Sequence, residues 1–179
     1  GRKPSLPSFY DMYGLKGSVI SATDLVKGIG ICAGMNIVNV KGATGNIRTN
    51  FTGKAEAAIK EFENGQDFVY LHIEAPDECS HRHEIANKVK AIELIDEKVL
   101  GPLMNRLKFF SEFNIMVLPD HNTPLSLRTH TRDPVPFLIY RSTGKRNPSD
   151  KNQYNEFAAK QTDLFYKTGW ELMKCFLMK

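Results

Sequence analysis

The stretch DFVYLHIEAPDECSH, residues 67–81, decides the fold of this chain. Its apolar run, residues 68–73, predicts a buried strand, and the polar residues that follow leave that strand at its carboxyl end. Asp77 and His81 stand four residues apart there, so both can bind one divalent cation if the segment turns or begins a helix. An isolated pair at this spacing is more often part of a solvated loop with a capping aspartate. Other segments of the chain are needed to decide between the two interpretations.

Composition places the chain among ordinary globular proteins. Of its 179 residues, 41% are hydrophobic and 25% are charged, which allows one domain with a substantial core. The net charge of +4 comes without long basic runs, so it does not favour nucleic acid as a partner, although a small anionic substrate would suit it. We expect no membrane association, because no apolar run is long enough to span a bilayer and the first residues lack a signal-peptide pattern. The three widely spaced cysteines predict free thiols in a reducing, cytoplasmic compartment.

Strand and helix patterns alternate along most of the chain. We predict strands at residues 17–21, 35–40, 67–74, 114–118 and 136–140, and helices between them at residues 25–33, 54–62 and 83–108. Thr23 and Asp24 can cap the first of these helices, and Gly34 is placed to end it. This alternation predicts an α/β fold with a mainly parallel sheet flanked by helices. Ligands of such sheets bind beyond the carboxyl ends of the strands, where residues 74–81 and 120–121 lie.

The long helical pattern carries one apolar stripe, which we interpret as core packing. Its members recur at helical spacing and are Ile85, Val89, Ile92, Ile95, Val99 and Leu103. Gly101 and Pro102 are expected to kink or break the helix near its carboxyl end.

A second carboxylate and imidazole stand side by side at Asp120 and His121, where a predicted strand ends. Adjacent residues usually point apart, so one could ligate while the other orients it, or both could ligate through a sharp turn. His130 follows in LRTHTRDPVPF, residues 127–137. Loops that carry Asp and His at strand ends are what a two-metal phosphoryl-transfer site needs, because two cations can clamp the attacking and leaving oxygens and neutralise the phosphoryl charge.

Several segments, in one order, resemble the cofactor-independent phosphoglycerate mutases, in the archaeal-type branch of the alkaline phosphatase superfamily. They are SATDLVKGIG (residues 21–30), GATGN (42–46), HIEAPDECSH (72–81), LPDHNTPLSLRTHT (118–131) and DPVPF (133–137). The resemblance runs from Pro4 to about Tyr140 and continues more loosely through the last helix. It implies an alkaline-phosphatase-like α/β fold.

The resemblance also implies two divalent metal ions, which could be Mn, Zn, Mg or Co. One ion is held in that family by an Asp, a His four residues later and a His of an H-T-x-x-P-V-P segment, which match Asp77, His81 and His130. The other ion is held by the pair that matches Asp120 and His121, together with an Asp and a nucleophilic Ser from the amino-terminal half of the family's sequences.

Lys27 matches a lysine near the phosphate site of the wider family, so it is our candidate substrate-binding residue. The alternative is a surface lysine on the polar side of a short helix.

We expect that amino-terminal half, and the family's second inserted domain, to be missing ahead of Gly1. Residues 1–179 are therefore interpreted as the carboxyl-terminal portion of the metal-binding phosphatase-like domain, with no catalytic nucleophile and no mutase activity of its own. A sheet edge left open in such a portion predicts pairing with a second copy or with the missing half of the same protein.

For the complete protein, the resemblance implies a glycolytic isomerase that interconverts 3-phosphoglycerate and 2-phosphoglycerate. The metal-activated Ser takes the phosphoryl group, and the reoriented glycerate takes it back on its other hydroxyl. Two alternatives stay open, a phosphotransferase of the same branch acting on homoserine and a non-catalytic remnant that serves as a scaffold. The DPVPF and GATGN segments disfavour a plain phosphomonoesterase or phosphodiesterase.

Five further residues carry chemistry of their own. Glu74 is either a partner that orients a ligating His or a plain acid at a strand end. We interpret His72 as a packed core histidine, His83 as a surface residue, Arg128 as structural and Cys79 as incidental.

Overall fold

The computed structural model describes residues 4–144 and 153–177. Helices and strands alternate in the order α1 (Phe9–Tyr13), β1 (Gly17–Ile20), α2 (Asp24–Cys32), β2 (Asn36–Val38), α3 (Phe51–Glu63), β3 (Phe68–Leu71), α4 (Ala75–His81), α5 (Ile85–Ile95), a π-helical turn (Asp96–Leu100), α6 (Gly101–Leu107), β4 (Asn114–Val117), β5 (Leu138–Arg141), α7 (Glu156–Lys160) and α8 (Gly169–Leu177). The described residues form two compact units, one of residues 4–107 and 125–129, the other of residues 108–124, 130–144 and 153–177.

The sheet of the first unit has three parallel strands in the order β2-β1-β3. All four residues of the central strand β1 are buried, which is typical of a parallel strand covered on both faces. Val19 of β1 pairs with Ile37 of β2 on one side and with Tyr70 of β3 on the other. The predicted α/β fold with a parallel sheet is confirmed, and the carboxyl ends of β1 and β3 lie side by side.

Helix α2 packs closely on this sheet because Gly30 has no side chain. A Cβ atom at Gly30 would lie 2.8 Å from Cγ2 of Val19 and 2.9 Å from Cδ1 of Ile37. The helix occupies residues close to those predicted, and Gly34 follows it with φ +72°, the left-handed conformation that glycine adopts at low cost.

Helix α3 begins earlier than its pattern predicted. Its N-cap is Asn50, whose side chain accepts a hydrogen bond from the Gly53 amide at 2.9 Å. The helix contributes to a buried cluster whose members come from α3, α4, α5 and the π-helical turn and are Phe51, Ala55, Ala75, Ala91 and Val99. Three of the five are alanines, which lets the helices approach closely.

The prediction that one apolar stripe of the long helix is core packing is wrong for its first half. Ile85, Val89 and Ile92 are each more than half exposed, whereas the later members of the stripe pack in or against the core. The buried face of α5 is centred on Ala91 instead, one residue position away from the predicted stripe. The interruption expected at Gly101 and Pro102 takes the form of the π-helical turn immediately before them.

The second unit contains an antiparallel pair, β4 and β5, in which Ile115 lies opposite Tyr140. We predicted both strands as members of the mainly parallel sheet, but among the described residues they pair with each other. The chain between them reverses direction at a bridge in which the amide of Thr131 donates to the carbonyl of Asn122 at 3.0 Å. Arg141 then binds the carboxyl end of α8 by donating to the carbonyl of Cys175 at 2.6 Å.

None of the helices within residues 4–144 and 153–177 has the length and apolarity needed to cross a membrane.

Candidate functional site

Asp77 and His81 lie on α4, which begins directly after β3. Glu74 is its N-cap and Pro76 lies in its first turn, where a proline costs no helical hydrogen bond. Because residues four apart share one face of an α-helix, the two side chains meet, with Oδ2 of Asp77 3.3 Å from Nε2 of His81. The structure thus contains the helix that a shared metal ion would require at this spacing.

The other ring nitrogen of His81 fixes the orientation of its imidazole. Nδ1 lies 2.8 Å from the main-chain carbonyl oxygen of Arg128. Since that oxygen can only accept, Nδ1 donates, and a neutral ring then presents the lone pair of Nε2 toward Asp77. Metal-ligating histidines usually hold their second nitrogen in this way. The carboxylate and the imidazole are therefore a donor set that fits a divalent cation.

Two residues near His81 have unusual main-chain conformations. Arg128 has φ 57° and His83 has φ 56°, both in the left-handed region that residues other than glycine seldom adopt. His83 is exposed, as predicted, yet its Nδ1 lies 2.7 Å from the carbonyl oxygen of Leu125. Two histidines at the end of α4 thus bind carbonyl groups of residues 125–129, and His130 is the next residue in the chain.

In the second unit, His121 and His130 lie against each other. Their rings stack with centroids 3.7 Å apart and planes at 28°. The bridge between Asn122 and Thr131, the residues that follow them, brings the two together. Nδ1 of His121 lies 3.2 Å from Oγ1 of Thr123, and its Nε2 lies 3.5 Å from Oδ2 of Asp120. Asp120 and His121 thus stay close despite being adjacent in sequence, which keeps both as candidate ligands.

Within the first unit the structure brings Asp77 and His81 together, and within the second unit it brings Asp120, His121 and His130 together. Lys27 lies on α2, where its ammonium is 3.0 Å from Oδ1 of Asp24.

The motifs did not predict a polar cluster at the carboxyl ends of β1 and β3. Thr23 donates its hydroxyl to Oε2 of Glu74 at 2.8 Å, so this N-cap residue of α2 binds the N-cap residue of α4. Gly45 approaches the same carboxylate so closely that a Cβ there would lie 2.6 Å from Oε2. Ser21 Oγ lies 3.1 Å from Nδ1 of His72, so this histidine is a partly buried, hydrogen-bonded residue.

Lys54 completes this cluster from α3. Its side chain is fully buried, and its ammonium donates to the main-chain carbonyl of His72 at 2.9 Å. Burial lowers the pKa of Lys54 from 10.5 to about 8, an effect that the negative charge of Glu74 opposes only in part. A lysine within an Ala-rich helical segment gives no sequence signal for such burial.

The lowered pKa of Lys54 predicts how stability depends on pH. Between about pH 8 and about pH 10.5 the folded state binds fewer protons at this site than the unfolded state, so the free energy of unfolding should rise with pH. The contribution should be roughly 2–3 kcal/mol from about pH 7 to about pH 10. Urea unfolding of the wild type and of Lys54→Met at both pH values measures it as a change in their difference. A difference that stays constant with pH would contradict the prediction.

Cys79 lies between Asp77 and His81 in sequence but is fully buried. Burial raises the pKa of its thiol, which disfavours the thiolate that a metal would bind. The interpretation of this cysteine as incidental to the site agrees with its burial.

Comparison with known proteins identifies the family to which the chain is similar. A family model described as the Metalloenzyme superfamily matches residues 1–177. The chain is 45% identical over 177 residues to a probable 2,3-bisphosphoglycerate-independent phosphoglycerate mutase of Geobacter sulfurreducens, covering 99% of this chain and 44% of that relative. It is 52% identical over 140 residues to the 2,3-bisphosphoglycerate-independent phosphoglycerate mutase of Methanothrix thermoacetophila, covering 78% of this chain and 36% of that relative. The chain thus spans about two fifths of the length of these curated relatives.

Two solved structures share its fold. The PH0037 protein from Pyrococcus horikoshii aligns with a TM-score of 0.81 at 29% identity, covering 89% of this chain and 47% of that one. A cofactor-independent phosphoglycerate mutase from Thermoplasma acidophilum aligns with a TM-score of 0.68 at 20% identity, covering 97% of this chain and 39% of that one. The resemblance predicted from the motifs is confirmed by these comparisons.

Proposed function

Because the chain belongs to the Metalloenzyme superfamily, we propose that Asp77, His81 and His130 hold one divalent metal ion and that Asp120 and His121 contribute to a second. The observation that carries the proposal is the His81 ring, whose Nδ1 donates to the Arg128 carbonyl while its Nε2 faces the Asp77 carboxylate. His130 follows Arg128 by two residues, and its ring stacks on that of His121. These contacts support the proposal that His81 and His130 are metal ligands.

We further propose that the whole protein carries out metal-dependent phosphoryl transfer between 3-phosphoglycerate and 2-phosphoglycerate. The names of the relatives from Geobacter and Methanothrix support this substrate. A pair of divalent ions supplies charge neutralisation at the phosphoryl group and activation of a hydroxyl nucleophile. The part of this chain is to supply acidic and imidazole ligands in fixed orientations, and Lys27 is proposed to contact the substrate. The nucleophilic serine, the cytoplasmic location and pairing with a second copy stay predictions.

Calorimetric titration with Mn²⁺ tests the metal centre. The wild-type chain should bind Mn²⁺ tightly, and His130→Ala should abolish binding of one ion, because a nitrogen ligand is lost without disturbing the pair on α4. Arg132→Ala is the matched control, since it removes an exposed side chain two residues away and should bind like the wild type. Binding unaffected by His130→Ala would remove His130 from the site. Failure of the folded wild-type chain to bind would overturn the proposal and favour a scaffold.

An activity assay of the full-length protein that contains this chain tests the proposed reaction. We expect Mn²⁺-dependent interconversion of the two phosphoglycerates without added bisphosphoglycerate, and loss of that activity in His130→Ala. Phosphorylation of homoserine, with no turnover of phosphoglycerate, would replace the proposed substrate while leaving the metal centre in place.

A further inference from the structure

We propose that Lys54 is a positioning residue for the metal centre, because its buried ammonium fixes the main chain between β3 and α4 and thereby the place of Asp77 and His81. This inference rests on the proposed function, since it concerns the same metal ligands.

Hydrogen bonds hold the main chain of His72 in place. Its amide donates to the carbonyl of Ile20 in β1 at 2.8 Å, and its carbonyl accepts from the Lys54 ammonium at 2.9 Å. The His72 residue is therefore held through both of its main-chain polar groups, one by the sheet and one by α3. Two residues later the carbonyl of Glu74 accepts from the amides of Asp77 at 3.0 Å and Glu78 at 3.1 Å, which begins α4.

Apolar packing also connects α3 to the start of α4. Phe51 and Ala55, which flank Lys54 on α3, belong to the same buried cluster as Ala75, the first residue of α4. Helix α3 thus holds the entry to α4 through apolar packing and through the directional hydrogen bond of Lys54. Asp77 lies only two residues beyond Ala75, so a shift of this entry moves the metal ligand.

The buried charge of Lys54 is energetically unfavourable. The Lys54 side chain is 0% exposed, and burying an ammonium group is unfavourable even beside an acid such as Glu74. An apolar side chain of similar length would fill the space without that cost, and such replacements are often neutral or stabilising. What a methionine cannot supply is the hydrogen bond to the His72 carbonyl. The residue type therefore fits a positioning role better than a packing role.

Lys54→Met separates these two roles. We expect the midpoint of thermal unfolding at neutral pH to stay the same or rise, while the affinity for Mn²⁺ falls roughly 10- to 100-fold, the usual effect of losing a group that orients a ligand. The absorption spectrum of bound Co²⁺ should also change, since it reports the ligand geometry. Lys60→Met is the matched control, because Lys60 lies on the same helix with an exposed side chain; it should leave affinity and spectrum unchanged.

The outcomes distinguish the inference from the proposed function. If the wild type binds Mn²⁺, His130→Ala loses it and Lys54→Met binds with unchanged affinity and spectrum, the positioning role is overturned and the metal centre stands. If the folded wild type does not bind, the proposed function itself fails. If Lys54→Met does not fold, Lys54→Gln takes its place, since its amide is too short to reach the His72 carbonyl. A folded Lys54→Gln with wild-type affinity would overturn the inference.

Discussion

Asp77→Asn should lower the affinity of the chain for Mn²⁺ by at least about 100-fold while leaving the fold intact. Loss of a group that merely orients a ligand already costs about 10- to 100-fold, and this substitution removes a charged ligand oxygen itself. Divalent cations of the Mn²⁺ type favour carboxylate oxygen over the neutral amide. Because Asn has nearly the shape of Asp, the effect should come from the lost charge rather than from repacking.

The fold should survive because main-chain hydrogen bonds, rather than the Asp77 side chain, begin α4. Helix α4 begins with the Glu74 carbonyl, which accepts from the amides of Asp77 and Glu78 whatever the side chain at 77. The charge of Asp77 near the amino end of the helix contributes about 0.3–1 kcal/mol at most. Circular dichroism and urea unfolding of the variant should therefore match the wild type to within about 1 kcal/mol.

Glu78→Gln is the matched control for this prediction. Glu78 is an acid in the same helical turn, but its carboxylate binds Arg82 at 3.1 Å. Calorimetric titration should show wild-type affinity for Glu78→Gln. Equal losses in both variants would mean that only the net charge of α4 matters, and no loss in Asp77→Asn would exclude Asp77 as a ligand.

Local sequence patterns were sufficient for the sheet of the first unit. Its strands are short apolar runs, and its helix α2 has an N-cap residue and a terminal glycine at the predicted positions, Thr23 and Gly34. The pairing of strands cannot be predicted from such local patterns, because it depends on the path of the chain that connects the strands. Nothing in the residues 114–118 and 136–140 distinguishes a parallel partner from an antiparallel one, so the pairing of β4 with β5 was not predictable.

Helical periodicity also has a limit that α5 illustrates. The pattern identified the helix but could not choose between two neighbouring faces, since Val89 and Ile92 are as apolar as Ile95. The face that is buried is centred on Ala91, a small residue that allows close approach. The π-helical turn then changes the angular position of the later residues, so Val99 is buried although Ile92 is exposed.

The candidate site was predictable where it depends on side-chain spacing. Asp77 and His81 meet because residues four apart share a helical face; the motif gave this spacing as a condition, and α4, which was not among the predicted helices, meets it. The contacts that orient them were not predictable, since the His81 ring binds a main-chain carbonyl of Arg128, 47 residues away. Every residue has a main-chain carbonyl, so the sequence does not indicate which carbonyl a side chain will bind. The same holds for the His72 carbonyl that Lys54 binds.

The close packing of α2 on the sheet leads to the second large prediction, that Gly30→Val should destabilise the chain by about 3 kcal/mol or more. A Cβ at Gly30 would lie under 3 Å from side-chain atoms of both Val19 and Ile37, and β1 is buried along its whole length. Overpacking of a filled core typically costs about 1–3 kcal/mol, and valine adds two further methyl groups to the first clash. The improved helix propensity returns only a few tenths of a kcal/mol.

Gly28→Val is the control, because Gly28 lies on the same helix and a Cβ there would meet nothing within 4 Å. Urea unfolding followed by circular dichroism should show a strongly lowered midpoint for Gly30→Val and a change within about 1 kcal/mol for Gly28→Val. Since both substitutions change helix propensity equally, their difference isolates the contact between α2 and the sheet. Equal midpoints for the two variants would show that α2 does not pack on β1 and β2 as closely as the structure has it.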